Sequence, residues 1–253
     1  MTASQQARAT AVAAKGPIGD LGGNWMVGEA EEQATADAGM VESQLYFIGR
    51  HGVLGDVDTN VILAAAFFFP ADHLRREWGV ARSLMTPAEG LSRYLAVCHQ
   101  WGRDRLADFA DIDRLAMLGR RVIDSSDVVG LPLFAGWRAV PLPDAGTVSG
   151  AERCAQVMQV LREHRGACHG VALAALQLDP LMAVLANQGG EENAREYGWE
   201  PPFPQVTEPD RALRARVEEL TDDLAAIAYD GLSASEQTEL VDLLRAAHAH
   251  AFS

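Results

Sequence analysis

The sharpest chemistry in this sequence sits at Glu163-His164-Arg165-Gly166-Ala167-Cys168-His169. Val157 and Leu161 begin an apolar helical stripe, and three more places along it lies His164. An imidazole is thereby placed on an inward face, where burial opposes its charge and a carboxylate favours it. Glu163 beside His164 supplies the residue types of a general acid/base pair. Arg162 and Arg165 can instead clamp an anion through paired N–H groups. Metal is a poor fit, because His164 and His169 are five apart and helical ligand pairs want three or four. Only a break at Gly166 would change that spacing, and the chain has no HExxH and no Cys/His set.

A second cluster is Arg50-His51 with Asp56 and Asp58 in an otherwise apolar run. Polar groups in such a run need partners, so the reading is an Arg50–Asp56 ion pair, with a pocket wall as the alternative. GRHGVLGD contains no G-x-G-x-x-G, which argues against a dinucleotide site. A third is Trp101-Gly102-Arg103. Glycine inside a helix costs about 1 kcal/mol relative to alanine, so Gly102 marks a close helix contact or a backbone facing a ligand. Thr221-Asp222-Asp223 lies on an amphipathic helix, where solvated acids are the simpler reading. Signatures of serine hydrolases, P-loops and catalytic cysteines are missing.

The elements that must position these residues are helices. Thr86-Pro-Ala-Glu89, Ser149-Gly-Ala-Glu152 and Ser233-Ala-Ser-Glu236 have the spacing of capping boxes. Apolar stripes at three- and four-residue spacing predict helices from 86, over 111–129, from 149 and over 211–229 and 233–251. Residues 59–69, nearly apolar all round, predict a central helix stopped by Pro70. Residues 4–14 read as helix, GPIGDLGGNWM as a turn into a short helix, and GLPLFAGWRAVPLPD, 130–144, as an ordered apolar loop. Convincing strand alternation nowhere exceeds four residues.

The 253 residues are 48% hydrophobic and 22% charged, which excludes disorder. No apolar run approaches a membrane span. The net charge is −14, unfavourable for gripping phosphates. Lys15 is the sole lysine. Cys98, Cys154 and Cys168 are odd in number and read as small buried hydrophobes. The N-terminus has neither a leader's apolar region nor a cleavage site, so the expected location is cytoplasmic.

YFIGRHGVLGDVDTNVILAAAFFF, YLAVCHQWGRDRL, PLFAGWRAVPLPD, LREHRGACH, EYGWEPPFP and VEELTDDLAA occur in that order. In these the chain, from about residue 15 onward, resembles an actinobacterial family of helical proteins related to MarR-like winged-helix-turn-helix proteins. The resemblance implies a homodimer through terminal helices and a ligand pocket among helices. The chain departs from a DNA reader at 200–210, which is Pro-rich, acidic and too short for a recognition helix plus hairpin.

The expected fold is mainly α, with degenerate winged-helix-like elements and little or no β. It divides into helical lobes 1–145 and 146–253, or packs as one body. The expected function is binding of a small molecule, in a pocket drawn from Arg50, His51, Trp101, Arg103, Arg165 and His169 beside Glu163 and His164. The alternative is an enzyme of specialised metabolism with His164 and Glu163 catalytic. A transcriptional regulator is third. No metal, cofactor, nucleic acid or membrane partner is expected.

Overall fold

A computed structural model describes residues 2–41, 43–143 and 150–253. The fold is mainly α, and no strand occurs among the described residues. The helices are α1 (Gln5–Gly23), α2 (Glu29–Asp37), α3 (Gln44–His51), α4 (Thr59–Ala65), α5 (Ala71–Leu84), α6 (Pro87–Leu106) and α7 (Ile112–Ser125). Then follow α8 (Pro132–Ala139), α9 (Gly150–Leu176), α10 (Pro180–Leu185), α11 (Gly190–Glu196), α12 (Glu208–Ala226) and α13 (Ala234–Ala251). Among the described residues, none is long and apolar enough to cross a membrane.

The axis of the molecule is α9, against which α1, α6, α7, α8 and α12 all pack. Its 27 residues are buried on most sides through the first four turns, where Cys154, Val157, Met158 and Leu161 enter the core. The main core cluster draws residues from Ala7 to Ala251, so both halves of the chain contribute to it. The lobe boundary at 145/146 and the Ser149 cap lie outside the described residues.

Capping decides several helix starts. Thr86 and Ser233 form reciprocal capping boxes with Glu89 and Glu236, each closing two orphan N–H groups. Thr207 does the same with Asp210 to open α12. The apolar stripe of α12 lies against α1 and α9 and that of α13 against α1 and α7 of the same chain, burying Val217, Leu240, Leu244 and Ala247.

Three local expectations are corrected. The stretch 16–23 is no turn: α1 continues through Gly16-Pro17 to Gly23. The 130–144 segment is no loop throughout, because Pro132 opens α8 and its Phe134 and Trp137 are fully buried. The 59–69 helix ends early at Ala65, and Val61 is 41% exposed, so α4 is short and not buried all round. Pro70 disfavours helical backbone at Phe69, and the Phe67-Phe68-Phe69 run leaves α4 as a loop.

Gly102 marks a close helix crossing. A Cβ there would lie 2.7 Å from the Ala151 carbonyl oxygen and 2.9 Å from Ala155 Cβ, with α9 backbone in the way. Gly102→Ala is therefore expected to destabilise by about 1–3 kcal/mol through overpacking, read from the urea unfolding midpoint. An unchanged midpoint would mean that α6 and α9 can part without cost.

Candidate functional site

One face of α9 carries Arg162, Arg165, Gly166, His169, Gly170 and Leu173, which recur at three- and four-residue spacing. All six line a cavity of about 920 Å³. The opposite walls are α1 through Lys15, Ile18 and Gly19, and α3 through Tyr46 and Arg50. The Phe67-Phe68-Phe69 loop, Leu133 of α8, Tyr197 after α11 and Glu218 of α12 close the rest. Thus the phenylalanines released from α4 become an aromatic wall, and Tyr197 stacks on Phe68 at 6.2 Å.

Behind one wall lies a buried ion pair. Arg50 donates to both Glu163 oxygens, Nε and Nη2 each at 2.8 Å. Glu163 is 1% exposed and accepts further from Gln159 at 2.9 Å and Arg162 at 3.1 Å. Burial raises a carboxyl, but the Arg50 charge and hydrogen bonds outweigh it and hold Glu163 down at about 2. Burial lowers a guanidinium too, and the Glu163 charge overrides this to keep Arg50 firmly charged. Arg50 also donates to Tyr46 Oη at 2.9 Å. The expected Arg50–Asp56 pair does not form: Asp56 pairs with Arg82 at the surface.

A second cluster lies along α12. Arg165 donates to Asp222 at 2.7 Å and to Glu218 at 2.8 Å. Lys15 reaches Asp222 at 3.2 Å, and Arg214 reaches Glu218 at 2.8 Å. Asp222 is buried and paired, where a solvated acid is expected from the sequence. His169 sits 3.6 Å from Glu218, and burial lowers its pKa. Thr221 donates its hydroxyl to the Val217 carbonyl, which leaves its oxygen to accept from His169 Nδ1 at 2.9 Å.

The sequence-predicted residues therefore divide. Arg50, Arg165 and His169 line the cavity. Glu163 stands behind Arg50. His51 is fully buried, its Nδ1 bonded to the Phe47 carbonyl at 3.0 Å and its Nε2 without a partner. Trp101 and Arg103 lie on α6 away from the cavity, beside Phe252 and Glu152 respectively. His164 is buried on another side of α9, against the Phe134 ring and 3.8 Å from Cys168 Sγ, and lines a separate cavity of about 150 Å³. Burial alone lowers it to about 4, so it is neutral at pH 7. The structure does not join His164 to Glu163, whose oxygens face Arg50, Gln159 and Arg162.

Gly166 breaks nothing, since α9 runs unbroken to Leu176. Among the described residues, no group of three His, Cys, Asp or Glu side chains is placed to hold a metal ion. The three thiols are buried and free, and burial raises Cys168 to about 11 and Cys154 to about 12.

Two helix-interior glycines on the cavity wall behave differently from Gly102. A Cβ at Gly19 or Gly166 would meet nothing within 4 Å. Neither glycine is there for packing, and each costs its helix about 1 kcal/mol relative to alanine. Gly166→Ala is accordingly expected to stabilise the fold by up to ~1 kcal/mol, opposite in sign to Gly102→Ala. A destabilised Gly166→Ala by urea unfolding would count against an open cavity here.

Sequence reasoning missed Lys15, Tyr46, Phe67 to Phe69 and Tyr197 as cavity residues. The signal for the α9 face was available: its small and cationic residues repeat at helical spacing after the apolar stripe ends. A helix-turn-helix family model matches residues 24–203. No curated protein and no solved structure matches the chain.

Proposed function

The chain belongs to the helix-turn-helix family that its residues 24–203 match, and on that premise we propose that it binds a small molecule in the cavity along α9. The observation that carries this reading is the cavity itself. At about 920 Å³ it is at the upper end of ligand-site volumes. Its wall is largely aromatic and aliphatic, with a few convergent polar groups from α1, α3 and α9, which is the usual make-up of such sites. The open glycines Gly19 and Gly166 support it, because they sacrifice helix stability for space.

The test is native mass spectrometry of the protein purified from its own cells, beside Gly166→Leu. Leucine at that position enters the open volume without meeting a neighbour at Cβ. The expected result is an adduct of one compound per chain, lost in Gly166→Leu while the variant keeps its helical circular dichroism. No adduct, together with no thermal shift across a panel of organic metabolites, would overturn the reading.

A second reading, a DNA-binding regulator, is favoured by the family membership. Against it stand the −14 net charge and the segment 198–207, which has neither helix nor strand. A shift of duplex DNA whose affinity falls steeply with salt would establish it. Binding that vanishes by ~0.15 M salt for every sequence would leave ligand binding as the function.

A further inference from the structure

We infer that the ligand is an amphipathic organic anion, its acidic group held between Arg162, Tyr46 and Tyr197 and its apolar body laid against Phe67 to Phe69. This rests on the ligand-binding reading above and names the class of compound that the same cavity takes.

The argument begins with charge. Glu163 is one carboxylate shared by two guanidiniums, those of Arg50 and Arg162. Arg50 takes both oxygens, so Arg162 is the cation left over, 32% exposed and on the cavity wall. The α12 cluster repeats the pattern. Lys15, Arg165 and Arg214 are three cations on the two carboxylates Glu218 and Asp222. Each cluster thus leaves one positive charge uncompensated, and both border the same cavity. The chain as a whole carries −14, so this local excess runs against the composition. The other acid on the wall, Asp179, is exposed to solvent and uses one oxygen to cap α10 through the Met182 N–H.

Hydrogen-bonding capacity points the same way. Tyr46 Oη accepts from Arg50, which leaves its own hydrogen free to donate. The Tyr197 hydroxyl has no hydrogen-bond partner among the described residues, and Tyr197 lines the cavity. Arg162 donates one N–H to Glu163 and keeps further donors. Glu218, the acceptor on the facing wall, is already engaged by Arg165 and Arg214. The wall therefore offers donors and positive charge with little free acceptor capacity. A carboxylate, sulfonate or phosphate answers both; a protonated amine answers neither, and a polyol accepts from the donors but leaves the charge unmatched. Carboxylate and phosphate share this chemistry, and the aromatic wall requires an apolar body in either case.

Two fluorescent probes with one ring system separate the possibilities. The anion 8-anilinonaphthalene-1-sulfonate and the neutral N-phenyl-1-naphthylamine are titrated into the full chain, Arg162→Gln and Gly166→Leu. Both probes are small against the ~920 Å³ cavity. The expected result is one sulfonate site per chain, about ten-fold tighter than the neutral probe. Arg162→Gln should reduce sulfonate affinity about ten-fold and leave the neutral probe within two-fold, because Arg50 and Glu163 keep their own pair. Gly166→Leu should abolish both. Competition by a fatty acid, but not by an alkyl phosphate of equal length, would assign a carboxylate; the reverse would assign a phosphate. Equal affinity for the two probes, or an Arg162→Gln protein that keeps the preference, would overturn the anion while leaving ligand binding intact. Failure of both probes to bind, or binding indifferent to Gly166→Leu, would overturn the anion and the cavity together.

Discussion

Replacing Glu163 by alanine is expected to destabilise the fold by about 3–5 kcal/mol, the range for removing one partner of a buried ion pair. Glu163 is 1% exposed, and Arg50, 12% exposed, places two hydrogen bonds on it. Truncation leaves the Arg50 guanidinium inside the protein with only Tyr46 to accept from it. At this chain length the midpoint should fall by roughly 6–20 °C. Glu163→Gln should lose less, since it keeps the shape and one acceptor. The double variant Arg50→Met with Glu163→Leu should recover much of the loss, because an apolar pair of similar volume has no desolvation penalty. Urea unfolding of the four proteins measures this order directly. A loss below about 1 kcal/mol for Glu163→Ala would mean that water reaches Arg50 and that the pair is not buried in solution.

The pair also shows where sequence reading stops. Arg50 and Glu163 are 113 residues apart, and nothing local to either one chooses the other over Asp56. Features set within a few residues were legible. The capping boxes at Thr86 and Ser233, the inward stripe ending in His164 and the tight crossing at Gly102 all follow from neighbours along the chain. What failed was the expectation that Glu163, His164 and Arg165 converge on one site. Successive residues of a helix point about 100° apart, so these three face Arg50, the smaller cavity and α12 respectively. The true constellation on α9 is spaced by three and four, from Arg162 to Leu173. The aromatic wall was hidden for another reason. An apolar run with helical composition reads as buried helix, and only the packing around Pro70 turns Phe67 to Phe69 into a loop over a cavity.

Acid should unfold this protein in two steps of different origin, the first beginning while carboxylates are still ionised. His51 and His164 are buried, and their folded pKa values lie at about 3 and about 4 against an ordinary 6.5. For His51 burial is the main cause and the Arg50 charge the next; for His164 it is burial alone. Between pH 6.5 and 4 the unfolded chain binds a proton at each and the folded chain does not. Stability therefore rises with pH across that window, and falls on acidification by about 1.4 kcal/mol per pH unit for each histidine. Lowered in the same direction, His169 adds to the slope. Two pH units thus remove on the order of 5 kcal/mol, comparable to the whole stability of many domains. Below about 4.5 the second step begins, as Glu163, held at about 2 in the fold, is protonated first in the unfolded chain and its contribution is lost. Urea unfolding at pH 7.5, 6.0 and 5.0 measures the first slope directly. In His164→Gln, which keeps a polar side chain but cannot titrate, that slope should fall by about one proton while the step below 4.5 persists. A free energy of unfolding that stays level from pH 7 to 5, or a slope that His164→Gln leaves unchanged, would show that these imidazoles are solvated and charged in the native protein.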